Sequence, residues 1–142
     1  MKIKVKYFSD KIDKLEKIEK GDLIDLRNVE TIDLKRGQSK LIRLGVAMEL
    51  PKGYHAEIYP RSSTFKNYGI LLTNSVGVID NSYCGDNDEW MALILATKDV
   101  TIWENTRLFQ FRIVENMPTI EFEEVEHLGN ADRNGYGSTG TK

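Results

Sequence analysis

Apolar and polar residues alternate along most of this chain, and that period of two constrains its fold more than any other feature of the sequence. Residues 2–7 alternate between lysine and apolar side chains, and residues 42–50 are apolar at every second position. Successive side chains of a β-strand point to opposite faces of a sheet, so this alternation predicts half-buried strands. The sequence also predicts strands at residues 55–59, 91–96, 108–114 and 120–125. Short turn sequences separate these runs, which favours an all-β fold, either a sandwich or a jelly roll.

Two segments break the alternation. Residues 9–20 place apolar residues three apart among many charges, which is compatible with either a short helix or a charged connecting loop. Residues 129–142 contain four glycines and few apolar side chains. Such a segment cannot offset the entropy lost on ordering by itself, so we expect a domain at residues 1–128 and an arm at residues 129–142 that orders when a ligand binds.

Bulk properties exclude several classes of protein. A chain of 142 residues fits one domain with a single core. The formal net charge of −2 argues against direct nucleic-acid binding, which would require a basic face. The lone Cys84 excludes a disulfide framework, and the absence of a long apolar run or a signal-peptide pattern argues against a membrane protein. We therefore expect a cytoplasmic protein.

The first block of chemically suggestive residues is Pro60-Arg61-Ser62-Ser63-Thr64. Pro60 is expected to end a strand, and Ser62 or Ser63 to cap a short helix through residues 65–66. An arginine and two hydroxyls before a helix suit a phosphate group. A capped turn without a ligand is the alternative.

The second block covers residues 74–86, where two apolar runs meet at a polar bend, and this pattern predicts a hairpin. Asp80 directly follows Val78 and Ile79, so a carboxylate lies at the end of a buried run. One interpretation is an aspartate that begins a turn. The other is a general base at the mouth of a pocket.

The third block is the glycine-rich tail at residues 133–140. Glycines allow the backbone to wrap a phosphate chain, while Arg133, Ser138 and Thr139 can bind phosphate oxygens. Tyr136 offers a flat ring for a base. A disordered terminus is the alternative for this block considered alone.

Together with two further segments, these blocks resemble the five ordered motifs of the trimeric dUTPase family, over residues 21–140. The motifs are Leu23-Ile24-Asp25-Leu26-Arg27, Pro60-Arg61-Ser62-Ser63, residues 77–85 with Asn74 upstream, Arg107-Leu108-Phe109-Gln110, and residues 133–140. The resemblance implies a jelly-roll subunit with one short helix. It also implies a homotrimer with active sites at the subunit interfaces, in which the arm of one subunit closes a neighbouring site.

The implied activity is Mg²⁺-dependent hydrolysis of dUTP to dUMP and pyrophosphate, which keeps uracil out of DNA and supplies dUMP for dTMP synthesis. Asp80 would activate a water molecule for attack on the α-phosphorus, Gln110 would help to position it, and Asp25 would bind Mg²⁺ through water. The implied nucleotide-binding residues are Arg61, Ser62, Ser63, Asn74, Gly77, Val78, Ile79, Asp80, Tyr83, Arg107, Gln110, Arg133, Tyr136, Gly137, Ser138 and Thr139.

Four alternatives remain open from the sequence. Trp90 competes with Tyr136 as the ring that covers the base. Asp86, Asp88 and Glu89 suggest a metal site, although a solvated loop is the favoured interpretation because no ligand pattern surrounds them. The alternative enzyme activity is that of a dCTP deaminase, a class of enzyme that is expected to have the same fold. A nucleotide-sensing trimer that regulates a protein partner is the alternative outside enzymology, and no sequence feature identifies such a partner.

Overall fold

A computed structural model describes residues 1–135 together with Gly137 and Gly140, and in these residues the chain forms eleven β-strands and one five-residue helix. The elements are β1 (Lys4–Tyr7), β2 (Ile24–Arg27), β3 (Ile32–Leu34), β4 (Ser39–Arg43), β5 (Val46–Glu49), β6 (Tyr54–Pro60), α1 (Thr64–Tyr68), β7 (Ile70–Leu72), β8 (Gly77–Ile79), β9 (Met91–Ala96), β10 (Val100–Ile102) and β11 (Arg107–Glu115). The predicted all-β class with one short helix is confirmed. No helix in this part of the chain is long and apolar enough to span a membrane.

The strands form two larger sheets and two strand pairs. The four-stranded sheet has the order β2-β11-β6-β8, and the three-stranded sheet has the order β4-β9-β7. The pairs are β1 with β5 and β3 with β10. Each of these pairings is antiparallel, which is why strands that alternate in polarity can bury one face and expose the other.

Side chains from both larger sheets meet in one hydrophobic core. Leu26, Ile58 and Phe111 from the four-stranded sheet and Ile42 and Ile94 from the three-stranded sheet belong to the same buried cluster. Each of them is at most 3% exposed. Removing this apolar surface from water is the main stabilising contribution to the sandwich.

Trp90 belongs to this core. Its side chain is fully buried, and its ring meets Phe111 edge-on, with the ring centroids 5.1 Å apart and an interplanar angle of 85°. A ring packed in this way cannot reach a nucleotide base. The alternative that placed Trp90 over the base is therefore wrong.

The single strand predicted over residues 42–50 is two strands in the structure. β4 ends at Arg43 and β5 begins at Val46, and the two lie in different sheets. Gly45, between them, has a φ of 74°, a left-handed conformation that glycine adopts without steric cost. The chain therefore bends at Gly45 although the apolar alternation continues through it.

Two further segments contain neither helix nor strand. Residues 9–20 contain no helix, so the alternative of a charged connecting loop is the correct one. The strand predicted at residues 120–125 is absent, and Phe122 there is 93% exposed. A strand requires a hydrogen-bonding neighbour, and no strand of the same chain pairs with this described segment.

Candidate active site

Strand register brings the first and fourth motifs together on the four-stranded sheet. β11 lies between β2 and β6, and Gln110 is the residue opposite both Asp25 and Tyr59. These side chains project from the same face, because directly opposed residues of antiparallel strands share a face. The Gln110 side-chain amide donates to the Pro60 carbonyl at 3.2 Å. The glutamine is therefore held beside the start of the second motif.

Two arginines converge on the carboxylate of Asp25. Arg61 Nε lies 3.2 Å from Asp25 Oδ1, and an Arg107 Nη1 atom lies 3.9 Å from Asp25 Oδ2. Arg61 also donates to the Arg107 carbonyl at 3.2 Å. Two guanidinium groups around one carboxylate leave a net positive charge, and such a pair suits phosphate oxygens.

The turn after Pro60 positions Arg61 through a buried hydroxyl. Ser63 occupies the N-cap of α1, but its side chain makes no capping hydrogen bond. The hydroxyl of Thr64 instead accepts a hydrogen bond from the Arg61 N–H at 3.1 Å and donates to the Leu108 carbonyl at 2.7 Å. The expectation that a serine hydroxyl caps this helix is therefore wrong. Ser62 is exposed and Ser63 half-buried, so both remain accessible to a ligand.

The third motif begins on β8, which pairs with β6 rather than with β7. The hairpin predicted over residues 74–86 is therefore wrong, because neither β7 before β8 nor β9 after it belongs to the same sheet as β8. Asn74 lies in the exposed turn between them, while Gly77 and Val78 pair with β6.

Asp80 follows the buried end of β8, and its side chain is exposed. Its carbonyl accepts a hydrogen bond from the Tyr83 N–H at 3.0 Å, so it also begins a turn. A cleft of about 570 Å³ adjoins it, lined in part by Val78, Ile120 and Phe122. The carboxylate therefore faces a mainly apolar space open to solvent.

One chain does not bring Asp80 to Arg61 and Arg107. Gln110 lies opposite Tyr59, whereas Ile79, the residue before Asp80, lies opposite Ala56. Asp80 is thus level with His55, four residues from Tyr59 along β6, which corresponds to roughly 13 Å of strand. The predicted site is divided into two halves in the described chain.

A charged cluster separates the two halves. Glu57 accepts a hydrogen bond from Tyr59 Oη at 2.6 Å and one from an Arg112 Nη atom at 2.9 Å. These two donors, Tyr59 first, lower the pKa of the Glu57 carboxyl below its usual value. The ionised carboxylate therefore remains paired on the sheet face at neutral pH.

Several residues that support the site could not be singled out from the sequence. Asn28 is fully buried, and its amide bonds the Trp103 carbonyl at 3.0 Å and the Thr106 N–H at 3.0 Å. It thereby holds the turn that leads to Arg107. Asn81 donates to the carbonyls of Pro51 and Tyr54 at 2.9 and 2.8 Å. An asparagine in a sequence signals a turn, but it does not show which distant loop the side chain binds.

The loop at residues 9–20 also contributes to the site. Together with Asp25, Arg27 and Arg107 it lines a cleft of about 460 Å³. Asp13 lies 3.4 Å from an Arg27 Nη atom, and its N–H donates to the Asn105 side chain at 2.8 Å. The charged residues of this loop, to which the sequence alone assigned no role, form one wall of the cleft beside Arg27 and Arg107.

The polar stretch after Tyr83 is only partly solvated. Asp86 is exposed, but Glu89 is 6% exposed and pairs with Arg43, so the expectation of a solvated loop is wrong for Glu89. The metal-site alternative finds no support, because the described residues contain no cluster of three potential metal ligands. Burial, followed by the charges of Asp88 and Glu89, raises the pKa of the Tyr83 hydroxyl above its usual value.

The structure describes only part of the glycine-rich tail. Arg133 and Gly137 are exposed, and residues 116–135 contain neither helix nor strand. A backbone hydrogen bond of 2.9 Å joins the Gly140 N–H to the Gly137 carbonyl. Tyr136, Ser138 and Thr139 lie outside the described residues.

Comparison with known proteins identifies close relatives of this architecture. The dUTPase family model matches residues 17–141. The SPbeta prophage-derived deoxyuridine 5'-triphosphate nucleotidohydrolase of Bacillus subtilis is 52% identical over the whole of both chains.

Solved structures of dUTPases are similar in fold. The dUTPase of Staphylococcus bacteriophage 80alpha with dUPNHPP superposes with a TM-score of 0.81 at 21% identity over 99% of each chain. That structure is described with the statement that phage dUTPases control the transfer of virulence genes by a proto-oncogenic G protein-like mechanism. A mutant dUTPase from phage phi11 of S. aureus, reported with a structural Mg(II) ion, gives a TM-score of 0.75 at 20% identity over 90% of this chain and 99% of that one. The predicted jelly-roll fold is thus confirmed.

Proposed function

Because this chain belongs to the dUTPase family and hydrolyses dUTP to dUMP and pyrophosphate, we propose that it works as a homotrimer whose active sites lie between subunits. The observation that carries this proposal is the separation of Asp80 from the Asp25, Arg61 and Gln110 group within one chain. A heterologous interface in a closed ring can place one half of the site on each of two neighbouring subunits. Each ring of three would then contain three equivalent sites.

Asp80 is the proposed general base. It accepts a proton from a water molecule as that water attacks the α-phosphorus in line with the departing pyrophosphate. Gln110 of the neighbouring subunit positions the water or an α-phosphate oxygen. No covalent intermediate forms, so the catalytic contribution of the protein comes from orientation and electrostatic stabilisation.

Arg61, Arg107 and Arg133 hold the phosphates in this proposal, and Ser62 and Ser63 bind phosphate oxygens. The present pairing of Arg61 and Arg107 with Asp25 supports it, because one carboxylate holds both guanidinium groups close together before the substrate arrives. A triphosphate can then bind two donors that are already oriented.

The donor set also fits Mg²⁺. This ion keeps several water ligands and binds through one or two carboxylates together with substrate phosphates. Asp25 supplies a single carboxylate next to the phosphate arginines, and the described residues offer no cluster that would form a complete protein cage. Asp25 would therefore hold the ion through water. The bound ion would neutralise charge on the substrate phosphates.

Base and sugar selection belong to residues 74–83. Backbone groups of Val78 and Asp80 pair with the uracil edge, and cytosine is rejected because its amino group leaves a buried donor unpaired. The ring of Tyr83 packs beneath the deoxyribose and leaves no space for a 2′-hydroxyl. The exposure of Val78 on β8 supports this role, since a strand end that is not covered can receive a base.

The arm at residues 129–142 closes over a site formed by neighbouring subunits and excludes water. Its exposed Arg133 and the left-handed Gly137 and Gly140 suit a segment that wraps a phosphate chain. Tyr136 is the proposed base-stacking ring, now that Trp90 belongs to the core. We place the protein in the cytoplasm, with no direct binding to nucleic acid.

The other two functions receive less support. The family match and the nucleotidohydrolase relative favour dUTP hydrolysis over a dCTP deaminase. A regulatory role is stated for the phage 80alpha protein, but at 21% identity that likeness concerns the fold alone. No described feature of this chain identifies a regulatory partner.

Pyrophosphate release from a panel of dNTPs and UTP, with and without Mg²⁺, tests the activity. We expect that only dUTP is hydrolysed and that its hydrolysis depends on Mg²⁺.

In Asp80→Asn the general base is lost, so kcat should fall by at least about a hundredfold while affinity for dUTP stays within about tenfold. Asp86→Asn, an exposed carboxylate of the same loop, serves as the control. Ammonia release from dCTP, or an unchanged kcat in Asp80→Asn, would contradict the proposal.

A further inference from the structure

The loop that follows Tyr83 is anchored by the buried carboxylate of Glu89. Both Glu89 oxygens lie 3.1 Å from Arg43 Nε, and Oε2 also accepts a hydrogen bond from the Gly45 N–H at 3.1 Å. The bond to Glu89 raises the pKa of the Arg43 guanidinium above its usual value. A buried carboxylate with this many donors is held in one position.

Tyr83 is tied to the same residue. Its hydroxyl donates to the backbone carbonyl of Glu89 at 2.9 Å. Between them, the Asp88 carboxylate accepts the Gly85 N–H at 2.8 Å and the Asp88 N–H donates to the Gly85 carbonyl at 3.1 Å. The loop from Tyr83 to Glu89 therefore closes on itself, and its fixed end is the Glu89 side chain.

The Tyr83 ring depends on this attachment for its orientation. The residue is 39% exposed, so core packing alone does not enclose its ring. One end is held by the backbone turn at Asp80, and the hydroxyl end is held by Glu89. If the loop shifts, the ring is free to move with it.

We propose that Glu89, clamped by Arg43, is a positioning residue that fixes the Tyr83 ring and thereby sets the discrimination between dUTP and UTP. The inference rests on the proposed packing of that ring beneath the deoxyribose. A side chain excludes an added hydroxyl only when it cannot move away from it. Selectivity of this kind therefore requires that other residues hold the contacting side chain in place. The polar stretch at residues 86–90 thus acquires a role that its composition did not reveal.

The test compares kcat/KM for dUTP and UTP in the full-length protein. Glu89→Gln places an amide donor against the donors of Arg43 and Gly45. The resulting loss of one to two hydrogen bonds should lower the dUTP/UTP ratio by roughly tenfold, chiefly through a gain with UTP. Arg43→Lys, which lacks the Nε donor at a half-buried site, should change the ratio in the same direction.

The matched control is Glu30→Gln. Glu30 also faces Arg43, at 3.4 Å, but its side chain is 57% exposed. Among the described residues, its carboxylate is hydrogen-bonded to Arg43 alone and not to the loop. Exposed pairs of this kind contribute little, so the nucleotide ratio should stay within about twofold of wild type.

A double-mutant cycle with Tyr83→Phe separates positioning from general stability. If Glu89 acts through the tyrosine hydroxyl, Glu89→Gln should not lower the ratio further in the Tyr83→Phe background. An unchanged ratio, an equal loss with both nucleotides, or additive effects in the double variant would overturn the inference. Failure of the wild-type protein to hydrolyse dUTP would instead overturn the proposed function, and this inference with it.

Discussion

Single buried polar groups decide how the candidate site is held. Thr64 is 1% exposed, and its hydroxyl connects the Arg61 N–H to the Leu108 carbonyl. It therefore links the second motif to the strand that carries Arg107 and Gln110. The sequence shows only one more hydroxyl after two serines, yet this one is structural and the two serines remain free to meet a ligand.

Removal of that hydroxyl should affect both stability and catalysis. Thr64→Val keeps the shape but leaves the Leu108 carbonyl without its donor, which should cost about 1–3 kcal/mol of unfolding free energy in urea. Because Arg61 loses its backbone support, kcat/KM for dUTP should fall by about tenfold. Thr64→Ser should restore most of both quantities. A Thr64→Val protein with wild-type kinetics would show that Arg61 is positioned without this link.

At the scale of secondary structure, glycine decides where strands end. The apolar alternation runs without interruption from Ile42 to Leu50, so a pattern of side chains cannot locate the break. The break is located by backbone conformation and crowding at Gly45. An added Cβ would lie 2.6 Å from Val29 Cγ2 and 2.7 Å from Ile12 Cδ1.

Two glycines with similar backbone angles separate these two effects. Gly45 has a φ of 74° and Gly37 a φ of 85°, but a Cβ at Gly37 would meet no atom within 4 Å. Gly37→Ala should therefore cost only the conformational penalty, about 1–2 kcal/mol. Gly45→Ala should cost about 1–3 kcal/mol more, because the core must shift. Urea unfolding measures both, and equal losses would show that crowding at Gly45 is unimportant.

At the scale of the whole molecule, one chain contains both halves of the proposed site but does not join them. Register along β6 separates Asp80 from Gln110, and the apolar residues Phe122 and Leu128 of the last segment are 93% and 84% exposed. Exposed apolar residues in a chain end favour association with another subunit. Both observations support a complete site only in the assembled protein.

Subunit complementation tests this arrangement. Asp80→Asn and Arg61→Gln should each be inactive alone, but mixed trimers formed by joint refolding should regain activity. With random assembly, about a quarter of the sites combine two intact halves across an interface. A mixture of Arg61→Gln and Gln110→Ala is the control and should stay inactive, because both changes lie in the same half. No recovery in the first mixture would place the complete site within one subunit.

Sequence patterns were sufficient to predict the all-β class and the short helix after Pro60. They also selected four residues that the structure brings close together, namely Asp25, Arg61, Arg107 and Gln110. Alternation and turn residues are local properties, and the ordered motifs identify chemistry without coordinates. Three-dimensional packing was needed to establish that β8 pairs with β6, that the chain breaks at Gly45, and that Trp90 and Glu89 are buried. Pairing and burial depend on partners far away in the chain, such as Arg43 for Glu89, 46 residues apart. A local pattern does not specify such partners, because many distant segments offer equivalent faces.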